Sequence, residues 1–422
     1  MQKSLQIAML TRLRKLGPGL LFAGAAIGVS HLVQSTRAGA DFGLGLLWAL
    51  LLINLFKYPF FQFGPRYAAA TGESLLQGYF KLGKAVLICY FILSLATIFT
   101  IQTAVTIVTA GLANSLFGDL GVLNVGSFTI SSVQIYTVII LFVCLAILFL
   151  GKYKTLDKFI KVIIIILTIS TLVAVVVAFK EFEKPVSLLQ VLPENTTEIA
   201  FLIAFMGWMP APLDISVWHS IWAIEKKKTQ NSFNAKAALL DFNIGYAGAI
   251  LLGCAFLCLG YFVMFDSGET FSNKAGEFSN QLINLYTTSL GNWAFIIIGI
   301  AAFTTMFSTT ITTLDASPRA MSQSLELLTN RIFKKGYVFW ILTLTFGTLL
   351  IFFALASEMG LLIKIATILS FITAPFYAVI NYKLICSKHT PKAWRPSLTI
   401  HILSWLGIFF LIGFTVWYIT IL

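Results

Sequence analysis

The sequence predicts an all-α integral membrane protein with 11 transmembrane helices, of which the first and the sixth are broken. The chain of 422 residues is 58% hydrophobic and only 11% charged, whereas a soluble domain carries about 25% charged residues because its surface faces water. Apolar runs of about 20 residues recur along the chain, which is the length that crosses roughly 30 Å of hydrocarbon. Two of these runs are interrupted near their middle by glycine, proline and polar residues.

The predicted spans follow one another with short polar connections. They cover residues 18–40, 44–70, 84–114, 132–150, 159–179, 197–223, 232–265, 291–317, 337–357, 359–384 and 399–422. Residues 1–17 are basic and amphipathic and carry no cleavage signature of small residues after an apolar core. We therefore expect them to form a cytoplasmic segment that leads into the first span.

The distribution of basic residues predicts the orientation. With the N-terminus inside, 22 of the 29 Lys and Arg residues fall on the inner side and four on the outer side, as expected when positive loops stay in the cytoplasm. This places the protein in the inner (plasma) membrane, with the N-terminus cytoplasmic and the C-terminus outside. The net charge of +12 is explained by these loops, so no nucleic-acid partner is predicted.

The two interruptions predict a binding site. The first span is broken at Ile27–His31 and the sixth at Gly207–Pro212, which includes two prolines. Proline removes a backbone donor and clashes with the preceding turn, and freed backbone groups are tolerated in a membrane only where they line a cavity. Corresponding breaks five spans apart are typical of inverted-repeat transporters that bind substrate at the breaks. The alternative is two kinked helices in a structural bundle.

The residues of the first two spans resemble a known family. The segment Gly17–Leu21 (GPGLL), the pairs Ala38-Gly39 and Phe42-Gly43, and the triplet Ala70-Thr71-Gly72 are similar to the start of the Nramp (natural resistance-associated macrophage protein) divalent metal transporters. Met209-Pro210 stands where the family's sixth span has Met-Pro-His. The resemblance implies a leucine-transporter-like fold built from two inverted five-helix repeats.

This resemblance divides the chain into five segments. They are the cytoplasmic segment 1–17, a first five-helix repeat at 18–179, an outer loop at 180–196, a second and inverted repeat at 197–384, and an inner loop with an extra eleventh helix at 385–422.

The family's metal motif does not carry over. The family has Asp-Pro-Gly-Asn in the first break, where this chain reads Gly28 to His31, and the histidine after Met-Pro is replaced by Ala211. Third-span acids that the family associates with proton movement correspond here to Gln102 and Val105. Stripping water from a divalent cation requires opposite charge or many oxygens. The sequence thus predicts a non-standard site whose histidine and methionine suit a soft or borderline metal.

Seven residues near the breaks are predicted to bind substrate: Gly28, Ser30, His31, Gln34, Trp208, Met209 and Asp214. A metal cation would be held by His31, Met209 and Asp214. Asp214 either supplies charge as a ligand or proton carrier or compensates the positive end of the following half-helix. His31 either couples transport to protons or only bonds an unwound carbonyl.

A second group is predicted to belong to a coupling or permeation path: Lys57, Gln102, Thr305, Ser308 and Thr309. Lys57 lies in the middle of an apolar run, where a cation needs a partner. It pairs with an acid such as Asp214, occupies the place of a coupling ion, or extends toward the inner membrane face. The Ser and Thr residues of the eighth span line a path or join helices.

No nucleotide cassette, phosphate loop, zinc spacing or nucleophile–base arrangement is found. The sequence therefore predicts no enzyme and no resident cofactor, but a secondary transporter with alternating access. Its predicted partners are the lipid bilayer, a small ion or solute and, if transport is coupled, protons. The first hypothesis for the cargo is a metal cation, moved by proton symport or by uniport. The alternatives are a small organic or anionic solute, or a sensor or scaffold that transports nothing.

Overall fold

The computed structural model describes residues 18–125, 128–150, 153–229, 235–268, 270–355 and 359–421, so the predicted cytoplasmic segment 1–17 lies outside the described residues. The helices, in chain order, are α1 (Pro18–Ala26), α2 (Thr36–Phe42), α3 (Leu47–Thr71), α4 (Leu75–Leu82), α5 (Lys84–Phe117), α6 (Ser132–Phe149), α7 (Tyr153–Glu181), α8 (Thr196–Trp208), α9 (Ile215–Thr229), α10 (Ala235–Met264), α11 (Ala275–Leu290), α12 (Ala294–Thr329), α13 (Gly336–Leu355), α14 (Met359–Cys386) and α15 (Leu398–Ile421). A π-helix (Ser30–Ser35) connects α1 to α2, and a short 3₁₀ turn covers Lys392–Trp394.

The prediction of an all-α membrane protein is confirmed. By length and composition, seven of the described helices are suited to cross a membrane, namely α5, α6, α10, α12, α13, α14 and α15. The strands seen in the described residues are β1 (Leu123–Val125) and β2 (Phe128–Ile130), which form an antiparallel hairpin between α5 and α6. The count of 11 spans and the bounds of the two repeats remain predictions.

Both predicted helix breaks are present. The first helix stops at Ala26 and resumes in the π-helix at Ser30, with a bend at Ile27 and Gly28 between the two. The sixth stops at Trp208 and resumes at Ile215. The sequence chemistry explains the second break, because the prolines at positions 210 and 212 lack the amide hydrogens that a continuing helix would need.

Small residues let α10 approach the first broken helix closely. A Cβ atom on Gly39 of α2 would collide with the carbonyl oxygen of Leu257, and one on Gly260 would collide with the carbonyl oxygen of Thr36. At the start of α1, the amide of Gly19 donates to the Asp241 carboxylate at 2.9 Å, which satisfies one of the free donors at that helix end. Both halves of the first broken helix are thus packed on α10.

Two long helices, α5 and α12, pack along each other beside the breaks. Their contact includes the hydroxyls of Thr109 and Thr310, 2.7 Å apart. Farther along α12, Asp315 accepts from Arg319 of the same helix at 2.9 Å and from the Tyr337 hydroxyl of α13 at 2.7 Å. These bonds join α12 to α13, while Thr309 on the buried face of α12 lies against the first break.

Candidate functional site

A small buried cavity lies between the two broken helices. Its volume is about 20 Å³, which is room for one water molecule or one ion without its hydration shell. The lining residues are Ala25, Ala26, Gly28, Val29, Ser30, Ile101, Val105, Trp208, Ala211, Pro212, Ile215, Trp218, Thr309 and Thr313. Both breaks therefore face the same cavity, and α5 and α12 close its remaining sides.

Four of the predicted site residues line this cavity: Gly28, Ser30, Trp208 and Thr309. The other eight are buried around it without forming its wall: His31, Gln34, Lys57, Gln102, Met209, Asp214, Thr305 and Ser308.

The predicted site residues did not include several lining positions, notably Ile101, Val105, Thr313 and Trp218. The spacing of 101 with 105 and of 309 with 313 places each pair on one helix face. This periodicity was the signal available in the sequence.

In the first break, the ring of His31 is held on both sides. Its Nε2 lies 2.9 Å from the carbonyl oxygen of Ala249 on α10, and its Nδ1 lies 2.7 Å from the Ser30 hydroxyl. A carbonyl oxygen only accepts, so Nε2 carries a hydrogen and donates it. The imidazole is fully buried and spans from the break to α10.

The Ser30 hydroxyl has one hydrogen to donate but three possible acceptors within hydrogen-bond distance. Besides His31 Nδ1, its oxygen lies 2.9 Å from the carbonyl of Ala26 and 3.1 Å from the carbonyl of Pro210. A hydroxyl has one hydrogen to donate. When Nδ1 is unprotonated it competes for this hydrogen, and when Nδ1 is protonated the hydrogen is free for a backbone carbonyl in either break. The protonation of His31 is therefore linked to the contact between the two breaks.

In the sixth break, the ammonium of Lys57 from α3 contacts the opened backbone. Its Nζ donates to the carbonyl oxygens of Gly207 (2.7 Å), Met206 (2.8 Å), Met209 (3.2 Å) and Ala211 (3.3 Å). The side chain is fully buried, and within the described residues no carboxylate lies within 4.0 Å of Nζ. Lys57 and Asp214 therefore make no direct ion pair here, although their opposite charges interact at longer range.

Asp214 stands directly before α9 and is 4% exposed. Its main-chain carbonyl accepts from the amide of Val217, as in the first turn of a helix, which fits the helix-start alternative. One carboxylate oxygen, Oδ1, is buried without a hydrogen-bond partner. A buried polar atom left in this way is unfavourable and marks Asp214 as the acid available near the break.

Met209 points away from the cavity. Its sulfur lies 3.4 Å from the position that a Cβ atom on Gly253 of α10 would occupy, and the side chain belongs to the apolar core. His31, Met209 and Asp214 thus do not line a common space here. In the part of the chain that the structure describes, no three His, Cys, Asp or Glu side chains are grouped so that they could hold a metal ion.

The hydroxyls of α12 mostly satisfy backbone carbonyls. Thr305 donates to Ala301 in its own helix at 2.7 Å. The Thr309 hydroxyl lies 3.3 Å and 3.4 Å from the carbonyl oxygens of Gly24 and Ile27, which are left free where α1 ends. Thr309 consequently both lines the cavity and closes the end of the first half-helix.

Gln102 joins α5 to α12. Its Nε2 donates to the Thr310 carbonyl at 3.3 Å and to Thr106 in its own helix at 3.2 Å, while its Oε1 is buried without a partner. A neutral amide therefore stands where the resemblance leads us to look for an acid.

Two helices broken beside one buried cavity, within a set of long apolar helices, define a membrane transporter rather than an enzyme. A model of the family described as natural resistance-associated macrophage protein-like (Nramp) matches residues 19–420, and the chain therefore belongs to the Nramp family. It is 36% identical over 416 residues to an uncharacterized protein of Pasteurella multocida, covering 96% of this chain and 91% of that protein.

Solved structures share the fold at low sequence identity. The manganese transporter of Eremococcus coleocola superposes with a TM-score of 0.74 at 14% identity, over 96% of this chain and 86% of that one. The transporter MhsT, solved in complex with L-phenylalanine, superposes with a TM-score of 0.64 at 13% identity, over 95% and 97% of the two chains. These likenesses confirm the predicted leucine-transporter-like fold, which is compatible with more than one class of cargo.

Proposed function

We propose that this protein is a secondary transporter that binds its cargo in the cavity between the two breaks and exposes it to each side of the membrane in turn. The observation that carries the proposal is the small cavity whose lining residues come from both breaks, next to the Ser30–Pro210 contact that joins them. Irregular backbone inside a membrane protein is stable only where it borders a cavity or a bound group. The energy source is an ion gradient, and His31 is the group through which protons would be coupled.

The first candidate cargo is a metal cation. Family membership supports it, as does the cavity, which has room for a single dehydrated ion. In the conformation described, the oxygens available are the hydroxyls of Ser30, Thr309 and Thr313 together with backbone carbonyls. The proposed ligands His31, Met209 and Asp214 would have to turn toward the cavity at another stage of the cycle. Few charged ligands imply weak binding, with a Kd on the order of 10⁻⁴ to 10⁻³ M.

The second candidate cargo is a small organic or anionic solute. It is favoured by two observations: the cavity lining contains no carboxylate, and the Lys57 ammonium lies directly behind Ala211 of that lining. The amides at the start of α9 add further positive potential, because a helix N-terminus attracts anions. Such a cargo is larger than the cavity described, so it would require the breaks to separate.

Flux into vesicles distinguishes the candidates. Purified protein is reconstituted into liposomes, and uptake of manganese, iron(II) and magnesium is compared with uptake of radiolabelled amino acids and small carboxylates. Metal uptake with accompanying internal acidification supports a proton-coupled metal transporter, and metal uptake without acidification supports uniport. Uptake of organic solutes alone supports the second candidate. Absence of flux for every solute would contradict the proposal and favour a sensor or scaffold.

We also propose that the protein lies in the inner (plasma) membrane with its N-terminus in the cytoplasm and its C-terminus outside. The four outer basic residues include Lys184 and Lys274, and the inner ones include Lys388 and Arg395. Single cysteines at 274 and 388 should therefore react from opposite sides with a membrane-impermeant maleimide. All five native cysteines, of which Cys89 is exposed, are first replaced by serine. Labelling of both positions from the same side would overturn this orientation.

A further inference from the structure

We propose that the Lys57 ammonium is a tethered cation: it permanently occupies a cation-binding site made of backbone carbonyls in the sixth-span break, so that no mobile cation binds there during transport. This inference deepens the proposed function, since it concerns the ion coupling of the same site.

The four oxygens around Nζ form a site of the kind that binds an alkali-metal ion. They belong to residues 206, 207, 209 and 211, lie 2.7 to 3.3 Å from the nitrogen, and come from one short stretch of opened backbone. In membrane transporters with broken helices, unwound carbonyls and half-helix C-termini are the groups that coordinate sodium ions or protons. Here an amino group occupies the centre of such a set.

The helix end adds negative potential at the same point. Met206 and Gly207 belong to the last turn of α8, whose final carbonyls have no partner within the helix. The aligned peptide dipoles place about half a negative charge at this end. Positive charge is therefore favoured there, whether an ion or a side chain carries it.

The contacts identify the protonated amine as the form that fits. All four neighbours are carbonyl oxygens, which only accept hydrogen bonds, and an ammonium offers three hydrogens and no lone pair. A neutral amine would direct its lone pair at an oxygen.

Lys57 is not a surface lysine whose stem happens to be covered. It is fully buried in the middle of α3, so reaching the membrane interface is not an option for its head group, and the third alternative considered from the sequence is not realised. The ammonium instead joins the last turn of α8, which contains Met206, to the opened backbone at Ala211. We infer that this fixes the shape of the break without any bound ion.

Thermal stability in different salts tests the inference. Purified protein in detergent is melted in sodium, lithium, potassium or choline chloride at equal ionic strength. For the wild type we expect the same Tm in every salt, because the site is already filled. For Lys57→Ala we expect a Tm lower by roughly 5 °C or more in choline, with partial recovery as sodium, lithium or potassium replaces choline and binds the freed carbonyls.

Two further variants separate this effect from general damage. Lys57→Met fills the same volume without charge, so it should be destabilised equally in all salts and should not recover. Lys227→Ala removes a lysine that also donates to a carbonyl, that of Ala69 at 2.9 Å, but at a partly buried position. It should show no difference among the four salts.

Either of two results would overturn the inference: a wild-type Tm that depends on sodium, or a Lys57→Ala protein whose Tm is identical in choline and in all three alkali salts. If Lys57→Ala does not fold, wild-type uptake in sodium, potassium and choline media provides the test, and a requirement for one alkali ion would contradict the tethered cation. The melting experiment needs no cargo, so failure of the proposed function and failure of this inference can be told apart.

Discussion

The hydroxyl oxygen of Ser30 lies 3.1 Å from the carbonyl oxygen of Pro210, a residue 180 positions further along the chain. One small side chain thereby connects the two broken helices across the cavity that both of them line. The same oxygen contacts His31 at 2.7 Å. The single hydrogen of this hydroxyl therefore serves either the contact within the first break or the contact across the cavity.

Removing the Ser30 hydroxyl should separate the two breaks. We expect Ser30→Ala to lower the free energy of unfolding by about 1 kcal/mol, the net contribution of a typical hydrogen bond, and to reduce uptake by more than that loss of folded protein explains. Calorimetry and vesicle flux measure the two effects. Ser170→Ala is the matched control, because that hydroxyl bonds only carbonyls of its own helix. Equal uptake by both variants would show that the contact has no role in transport.

His31 should determine the response of transport to pH. Protonation of the imidazole at Nδ1 would free the Ser30 hydrogen for the Pro210 carbonyl. If protons are coupled there, we expect wild-type uptake to rise as the outside pH falls, and His31→Gln to show a flat profile. His219→Gln serves as the control, since this buried ring stacks on Phe22 away from the cavity. A pH profile that survives in His31→Gln would exclude this histidine.

The side chain of Thr309 lies so close to Gly28 that it should exclude any larger residue at position 28. A Cβ atom at this position would lie 3.0 Å from Oγ1 and 3.2 Å from Cγ2 of Thr309, which is tighter than ordinary contact. We expect Gly28→Ala to reduce uptake at least about tenfold, which corresponds to about 1.4 kcal/mol of misfit. The double variant with Thr309→Ala should recover much of the activity, because the crowding atoms are gone. If the double variant does not regain uptake, the loss in Gly28→Ala comes from the backbone of residue 28 and not from crowding by Thr309.

Asp214 should respond differently to the two candidate cargoes. Neutralising it removes the acid nearest the sixth break, so Asp214→Asn should raise the KM for a metal cation at least about tenfold or abolish its uptake. The uptake of an anionic solute should stay the same or increase. Asp266→Asn is a suitable control, because this residue is exposed near Lys184 and has φ of 58°, a conformation that asparagine tolerates. Unchanged metal uptake in Asp214→Asn would remove this residue from the proposed ligands.

The architecture could be predicted because its causes are local. Prolines 210 and 212 break a helix whatever surrounds them, and apolar runs of bilayer length indicate spans without reference to their neighbours. The Asp315–Arg319 pair, four residues apart on one helix, is another local feature that the structure contains.

The orientation of the site residues could not be predicted in the same way. His31 turns toward the Ala249 carbonyl and Met209 packs against Gly253 because α10 lies beside both breaks, and no pattern within residues 27–31 or 207–213 reveals that neighbour. The partners of Lys57 are main-chain carbonyls, which carry no sequence signature at all. Val105 and Ile101 resemble lipid-facing residues in sequence, although they line the cavity.

The interlocking of Gly39 and Gly260, together with the bond from Gly19 to Asp241, has a consequence for how the protein changes shape. Both halves of the first broken helix are clamped to one neighbour, so neither half can swing independently without disrupting backbone-to-backbone contact. The moving piece is then expected to be the whole assembly of α1, α2 and α10, rocking as a rigid body against the pair α5 and α12. A disulfide that joins α1, α2 or α10 to α5 or α12 should stop transport. A disulfide that joins α1 or α2 to α10 should leave transport unchanged.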